Sequence, residues 1–313
     1  MSKESTQQIK RKPKVIAAIP AYNEEKTVAA VILETEKYVD KIIIVDDGST
    51  DHTAEIARRM GATVIQHAVN KGYGAAIISL LKKALEEDAD IAVTLDADGQ
   101  HDPRYIPYLT KPILENKADI VIGSRFLGKT KMPKYRKIGV KTITALSNVA
   151  TKLNITDAQS GFRAYSKKAL QKIVPQLSEQ GMGISLQILQ IANQARLKIA
   201  EVPITIEYNV EKPSKKNPLT HGVELVATII RITALEQPLK YLGIPSVVLL
   251  MAGIIAAVQL IAEFNKTRYF SIPAAIISLG LTLLGAILAT TALTFYTLTQ
   301  ILKKIEEMRN IGH

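Results

Sequence analysis

The chain contains no cysteine and no tryptophan, and aromatic residues make up 5% of its 313 positions. Without cysteine, no disulfide can staple the fold. The sequence also lacks an Arg-rich helix, zinc-ligand spacing and an RNP-like aromatic pair. Its formal net charge of +11 is therefore read as basic charge facing anionic lipid, and no nucleic-acid partner is expected. Charge is missing altogether from residues 244–262 and 269–302. A hydrocarbon core of ~30 Å needs about 20 helical residues, so each run is long enough to span. The N-terminus lacks the apolar h-region of a signal peptide, because Val15–Ile19 is too short and reads better as a strand. Residues 1–13 are expected to be a disordered basic tail.

What is present is an alternation of strands and helices from residue 14 to 125. Strands are expected at Val15–Ile19, Ile42–Val45, Thr63–Gln66, Ile91–Leu95 and Ile120–Gly123. Helices are expected over Glu24–Val39, Asp51–Met60, Gly72–Glu87 and Arg104–Glu115. The strands are continuous apolar runs, as in a mostly parallel sheet covered by helices on both faces. The expected fold is α/β and doubly wound, with ligands outside the C-terminal strand ends.

Polar motifs follow those ends. Strand one leads into Pro20-Ala21-Tyr22-Asn23-Glu24, strand two into Asp46-Asp47-Gly48-Ser49-Thr50-Asp51, and strand four into Asp96-Ala97-Asp98-Gly99-Gln100-His101. Alternation in an extended chain puts Asp96 and Asp98 on one side. Two converging carboxylates suit Mg²⁺ or Mn²⁺ shared with substrate phosphates. Asp47 to Asp51 also reads as a plain turn with a helix cap. Lys71-Gly72 precedes a helix N-terminus, which suits an anion, although an exposed lysine fits as well. His101 precedes the helix start at Asp102-Pro103 and reads as structural rather than catalytic. Arg125 and Arg136 suit phosphate through bidentate bonds. Arg136 also belongs to a basic face with Lys129, Lys131, Lys134, Lys137 and Lys141, which solvation alone would explain.

With Asn70-Lys71-Gly72 and Gly123-Ser124-Arg125 added, these motifs resemble family-2 glycosyltransferases of the GT-A fold over residues 14–210. Ser160-Gly161-Phe162-Arg163, the loop at Ser214-Lys215 and the apolar C-terminus narrow the resemblance to polyprenyl-phosphate glycosyltransferases, such as the dolichyl-phosphate mannose and glucose synthases. The resemblance implies a site. Pro20, Tyr22, Glu24, Asp46, Asp47, Lys71, Gly72, Ala97, Ser214 and Lys215 would bind the nucleotide sugar, together with Asp96 and Asp98. Asp96, Asp98 and Gln100 would hold the metal. Arg125 and Arg136 would meet the acceptor phosphate, and Asp96, Asp98, Arg125 and Arg136 would carry the catalysis. An ordinary linker remains open for 208–218.

The implied activity is inverting, metal-dependent transfer of a hexose from GDP-mannose or a UDP-hexose to dolichyl or another polyprenyl phosphate. The alternatives are a membrane family-2 transferase acting on a lipid-linked sugar hydroxyl, and a non-catalytic nucleotide-sugar-binding scaffold. Lacking tryptophan, the chain cannot carry the Gln-X-X-Arg-Trp signature of processive polysaccharide synthases. Many family-2 enzymes place a catalytic Asp on the helix after a Gly-rich turn; here 181–195 contains no acid. A sugar hydroxyl needs a base, whereas a phosphate is already anionic.

The expected domains are a GT-A domain at 14–217, an amphipathic juxtamembrane helix at 218–240, and a hairpin of transmembrane helices, about 244–262 and 272–302, within 241–313. The tail carries three basic residues (Lys303, Lys304, Arg309) against two (Lys266, Arg268) in the loop between the spans. That bias favours a multi-pass cell-membrane protein with its catalytic domain in the cytoplasm. Homo-oligomerisation is left open.

Overall fold

The computed structural model describes residues 11–128, 132, 134–178, 181, 183–206 and 239–311. The chain divides into two units, Met1–Val226 and Ala227–His313.

In the first unit the elements run β1 (Val15–Ala21), α1 (Val28–Thr35), β2 (Lys41–Asp46), α2 (Thr53–Arg59), β3 (Thr63–Gln66), α3 (Tyr73–Glu86), β4 (Ile91–Thr94) and α4 (Ile106–Leu114). They continue with β5 (Ile120–Ser124), α5 (Lys134–Thr151), β6 (Arg163–Ser166), α6 (Lys167–Ile173), α7 (Ile184–Gln194) and β7 (Ile199–Pro203). The seven strands form one sheet in the order β3-β2-β1-β4-β6-β5-β7. All neighbours are parallel except β6, which runs antiparallel to both β4 and β5.

Strand periodicity distributes the core over two faces. Ile16, Ala18, Ile43 and Val45 pack with Ile77, Leu80 and Leu81 of α3 on one side. Ala17, Ile19, Ile44 and Val93 pack with Val28 and Ile32 of α1 and Leu109 of α4 on the other. This is the expected GT-A-like doubly wound architecture, with an antiparallel strand inserted.

All four expected helices are shorter than the sequence suggests, and two of the shortened starts have a visible cause. The first begins at Val28 instead of Glu24, because the backbone of 24–25 is held by the loop after β2: Glu24 N–H donates to Thr53 Oγ1 and Glu25 N–H to Asp51 Oδ2. The fourth is preceded by a 3₁₀ turn at Pro103–Tyr105. Pro103 and Pro107 lack the N–H groups a continuous helix would use, and Asp102 caps the turn through Arg104 N–H at 2.9 Å.

The second unit contains a π-helical turn at Leu239–Gly243, α8 (Ile244–Thr267) and α9 (Ile272–Ile311). The expected helix at 218–240 otherwise lies outside the described residues. The apolar stretches Ile244–Thr267 and Ile272–Leu298, of 24 and 27 residues with mean hydropathy 2.4 and 2.2, are long and apolar enough to cross a membrane. The two helices approach closely. A Cβ at Gly253 would collide with Thr282 Oγ1, and Ser278 Oγ donates to Gly253 O at 2.9 Å. α9 continues through the basic tail as one helix of 40 residues, about 60 Å long at 1.5 Å per residue.

Candidate active site

The C-terminal ends of β1, β2, β4 and β5 share one rim of the sheet, and the sequence motifs follow from them. After β1, Tyr22 is 40% exposed. Asn23 takes a left-handed backbone conformation, φ 53°. There its N–H donates to Ser49 Oγ at 2.8 Å, while its own side-chain oxygen accepts from Thr50 N–H at 2.8 Å. This exchange binds the turn after β1 to the turn after β2.

Asp46 and Asp47 are adjacent, and their surroundings are opposite. Asp47 is buried and saturated. It accepts from Lys71 N–H at 3.0 Å, from Gly72 N–H at 2.8 Å and from His67 Nδ1 at 2.7 Å. His67 Nε2 then meets Ser79 Oγ at 3.0 Å. Asp47 therefore closes the start of α3, where the helix dipole favours a carboxylate. Asp46 is fully buried; its Oδ1 accepts from Ser49 N–H at 3.3 Å, and its Oδ2 has no partner among the described residues. The Lys71 side chain is exposed at this edge.

The turn after β4 is built differently. Asp96 backbone N–H donates to His101 Nδ1 at 3.0 Å. That bond fixes Nδ1 as an acceptor and so assigns the proton of the neutral ring to Nε2. His101 is buried, lies 5.1 Å from the Phe162 ring, and is held neutral by burial, with its pKa pushed down to about 4. It braces the turn. The Asp96 carboxylate accepts one long bond from Tyr73 OH at 3.5 Å, lies 3.5 Å from His101 Nδ1, and keeps 34% of its side-chain surface open. Burial pushes its pKa up to about 6, an effect countered by the Arg125 charge and the Tyr73 hydroxyl and increased by Glu24. Burial and then the Asp96 charge push Asp98 upward as well. Asp98 Oδ1 accepts from Gln100 N–H at 2.9 Å.

Glu24, Asp96, Asp98 and Arg125 thus share one electrostatic neighbourhood. Two carboxylates that repel each other and receive few protein donors fit a divalent cation. Among the described residues no cluster of three or more His, Cys, Asp or Glu could hold a metal alone. An ion here would draw its remaining ligands from substrate, water or an amide such as Gln100.

The wall behind Asp96 comes from the segment entering β6. Thr94 Oγ1 donates to Gly161 O at 2.7 Å. A Cβ on Gly161 would sit 2.7 Å from Tyr73 OH and 3.4 Å from Asp96 Oδ2, so any larger residue would displace the Tyr73 hydroxyl. Arg163, 1% exposed, holds this segment by donating Nε to Ser160 O at 2.8 Å and Nη2 to Ala158 O at 2.7 Å. Beneath lies a cavity of about 10 Å³ lined by Tyr73, Thr94, Arg163, Tyr165 and Ser185. The start of α7 contributes Ile184, Ser185 and Ile188 to it, and α7 carries no acid.

Arg125 follows β5. Its Nε and Nη2 donate to the Asp157 carboxylate at 2.6 and 2.7 Å, and its backbone N–H donates to Asp157 Oδ2 at 3.1 Å. Position 136 lies on α5 and its side chain is outside the described residues, as are Ser214 and Lys215. Sequence reasoning did not single out Tyr73, Asp157 or Glu201. Arg163 appeared only within a four-residue signature. The available signal was Asp157-X-X-Ser160-Gly161-Phe162-Arg163, an acid and a base flanking a tight segment.

The sequence profile of Glycosyl transferase family 2 matches residues 16–174. The chain belongs to this family. It is 39% identical over 212 residues to the UDP-N-acetylglucosamine–dolichyl-phosphate N-acetylglucosaminyltransferase of Methanococcus voltae, covering 61% of this chain and 84% of that protein. It is 29% identical over 222 residues to the dolichyl-phosphate hexose transferase of Haloferax volcanii, covering 70% and 93%. Among solved structures, glucosyl-3-phosphoglycerate synthase from Mycobacterium tuberculosis shares the fold. In its complex with Mn²⁺, UDP-glucose and phosphoglyceric acid the TM-score is 0.56, with 24% identity, 71% of this chain covered and 80% of that one.

Proposed function

We propose that this glycosyltransferase moves a hexose, N-acetylated or not, from a nucleotide sugar to dolichyl or another polyprenyl phosphate, with inversion at the anomeric carbon. The acceptor class rests on one observation above all. The start of α7, where a general base would stand beneath the site, carries no carboxylate. A phosphate acceptor needs none. The dolichyl-phosphate transferases among the relatives support the same class.

In this reading Pro20, Tyr22 and Glu24 line the nucleotide pocket. Asp46, whose Oδ2 has no partner among the described residues, accepts from the base or ribose. Asp47 acts one step back, by fixing Lys71 and Gly72 at the start of α3. Asp96 and Asp98, with Gln100, hold Mg²⁺ or Mn²⁺, which neutralises the departing nucleoside diphosphate. Arg125 and Arg136 aim the acceptor phosphate at the sugar, which is catalysis by positioning. Ser214 and Lys215 close over the diphosphate. Residues 14–217 form the catalytic domain, 218–240 a helix along the membrane surface, and 241–313 a membrane hairpin that keeps the domain on the cytoplasmic side beside its lipid substrate.

The test is transfer of radiolabel from GDP-mannose, UDP-glucose and UDP-N-acetylglucosamine to dolichyl phosphate by the full chain in vesicles. One donor should give a lipid-extractable product of inverted anomeric configuration, lost in EDTA and restored by Mn²⁺. Transfer to a lipid-linked sugar with none to dolichyl phosphate would overturn the acceptor assignment.

A further inference from the structure

Arg125 does not stand alone at the rim. Asp157, completely buried, offers both carboxylate oxygens to it, and three N–H groups of Arg125 converge on that one carboxylate. The Arg125 side chain keeps 10% exposure. A tether between the end of β5 and the segment before β6 would need one such bond. The two side-chain bonds, from Nε and Nη2, fix the rotamer and the plane of the guanidinium together, and the backbone bond fixes the Arg125 main chain beneath it. Asp157 is held in turn from β7. Glu201 accepts from Asp157 N–H at 3.0 Å and from Thr156 N–H at 2.8 Å. It also accepts from Thr156 Oγ1 at 2.9 Å, and that hydroxyl meets Ser124 Oγ at 2.6 Å. The result is a continuous line: Glu201 on β7, the 156–157 segment, then Arg125, whose charge is felt by the Asp96 carboxylate.

We propose that Asp157, backed by Glu201, is the positioning residue that sets Arg125 for the acceptor phosphate. This rests on the acceptor assignment above. Arginine recognises phosphate through a planar fork, so its orientation matters as much as its charge. An arginine on a flexible stem would sample many rotamers, and the phosphate would have to select one. The Asp157 carboxylate makes that selection beforehand and neutralises the guanidinium while no acceptor is bound. Neither Asp157 nor Glu201 needs to touch substrate, so their loss should be felt on the acceptor side and spare the donor.

The experiment uses the full chain in vesicles with dolichyl phosphate and the donor that the wild type transfers. Asp157→Asn keeps the shape and removes the charge. Its kcat/KM for dolichyl phosphate should fall by roughly ten- to a hundredfold, the scale of a small misplacement at a reacting group. Donor KM and nucleotide affinity should remain near wild type. Glu201→Gln, more distant and on the sheet edge, should show the same split at smaller size. In an Arg125→Ala background, Asp157→Asn should cost little more, because the group it positions is gone.

Equal losses on the donor and acceptor sides in both variants, or full additivity with Arg125→Ala, would reduce Asp157 to a structural tie and overturn the proposal. A wild type that labels no dolichyl phosphate with any donor would overturn the acceptor reading and this inference with it. An active wild type with an unaltered Asp157→Asn variant would overturn the inference alone.

Discussion

Two strand ends on the same rim carry paired aspartates, and they behave in opposite ways. After β2 the pair is adjacent; after β4 it is spaced by one residue. Adjacent residues of an extended chain point to opposite sides, which separates Asp46 from Asp47, whereas β4 ends at Thr94 and the turn after it, not strand alternation, places Asp96 and Asp98. Asp47 therefore turns inward to a helix start and a histidine, while Asp46 keeps a buried oxygen without a partner among the described residues. Asp96 and Asp98 face each other's charge with one long hydroxyl contact and one backbone N–H between them. What separates a structural carboxylate from a ligand-seeking one is the supply of donors, not the residue type or its place in the topology.

The largest effect should come from the β4 end. Asp98→Ala and Asp96→Ala should each reduce transfer by roughly a thousandfold or more, since the cation proposed for them would contribute several kcal/mol to the departure of the diphosphate. Thermal unfolding should barely move. Activity retained in Asp98→Ala, or in wild type stripped with EDTA, would break the contrast. Asp47→Ala should do the reverse. Removing it strands two backbone N–H groups and the His67 ring, at a cost of about 1–3 kcal/mol for each buried group left unsatisfied. The melting temperature should drop by several degrees; an unchanged melting point would show that Asp47 is not the tie described.

Asp46→Asn sharpens the comparison within one strand end. UDP or GDP affinity, measured by calorimetry, should weaken by about tenfold, the size of one hydrogen bond to a charged group, with the melting temperature held or raised. The smallest effect lies on the opposite rim. Asp40 Oδ2 accepts Val15 N–H at 2.8 Å, and this bond, aided by Lys12, holds the folded pKa below the ordinary 3.8. Its contribution is present above that ordinary value and is lost as pH falls through the folded one. The melting-temperature gap between wild type and Asp40→Asn should therefore close in acid. A gap that widened there would reverse the sign.

Five of the seven strands were legible as apolar runs, and Thr63–Gln66 has the same bounds in the sequence reading and in the fold; β6 (Arg163–Ser166) and β7 (Ile199–Pro203) were not, because charged and polar residues interrupt them. Helix starts were harder to read. Donors at 24–25 go to a loop more than twenty residues away, and no local pattern announces that. The Asp-X-Asp turn and the bracing role of His101 followed from spacing and from the helix start beside it. The opposite surroundings of Asp46 and Asp47 did not, since they depend on His67 and on the backbone of Lys71 and Gly72. Asp157 and Glu201 were invisible for the same reason: their partners lie 32 and 44 residues away. Long-range pairs of this kind are set by the strand order, which single-sequence periodicity does not encode.

The antiparallel strand β6 has a consequence for how the chain is made. It sits between β4 and β5, yet its residues and the segment leading into it, Asp157–Phe162, are synthesised after both. A ribosome adds about 5–20 residues per second, so β4 emerges on the order of ten seconds before the strand that pairs with its far edge. During that interval β4 offers an open row of backbone groups, which invites wrong pairing. The Asp96 turn meanwhile lacks the wall formed by Gly161. A nascent chain interrupted before residue 166 carries the carboxylates of the site without the strand that shapes them, and the wall behind Asp96 closes only after about half of the chain has been made, once β6 has slotted in.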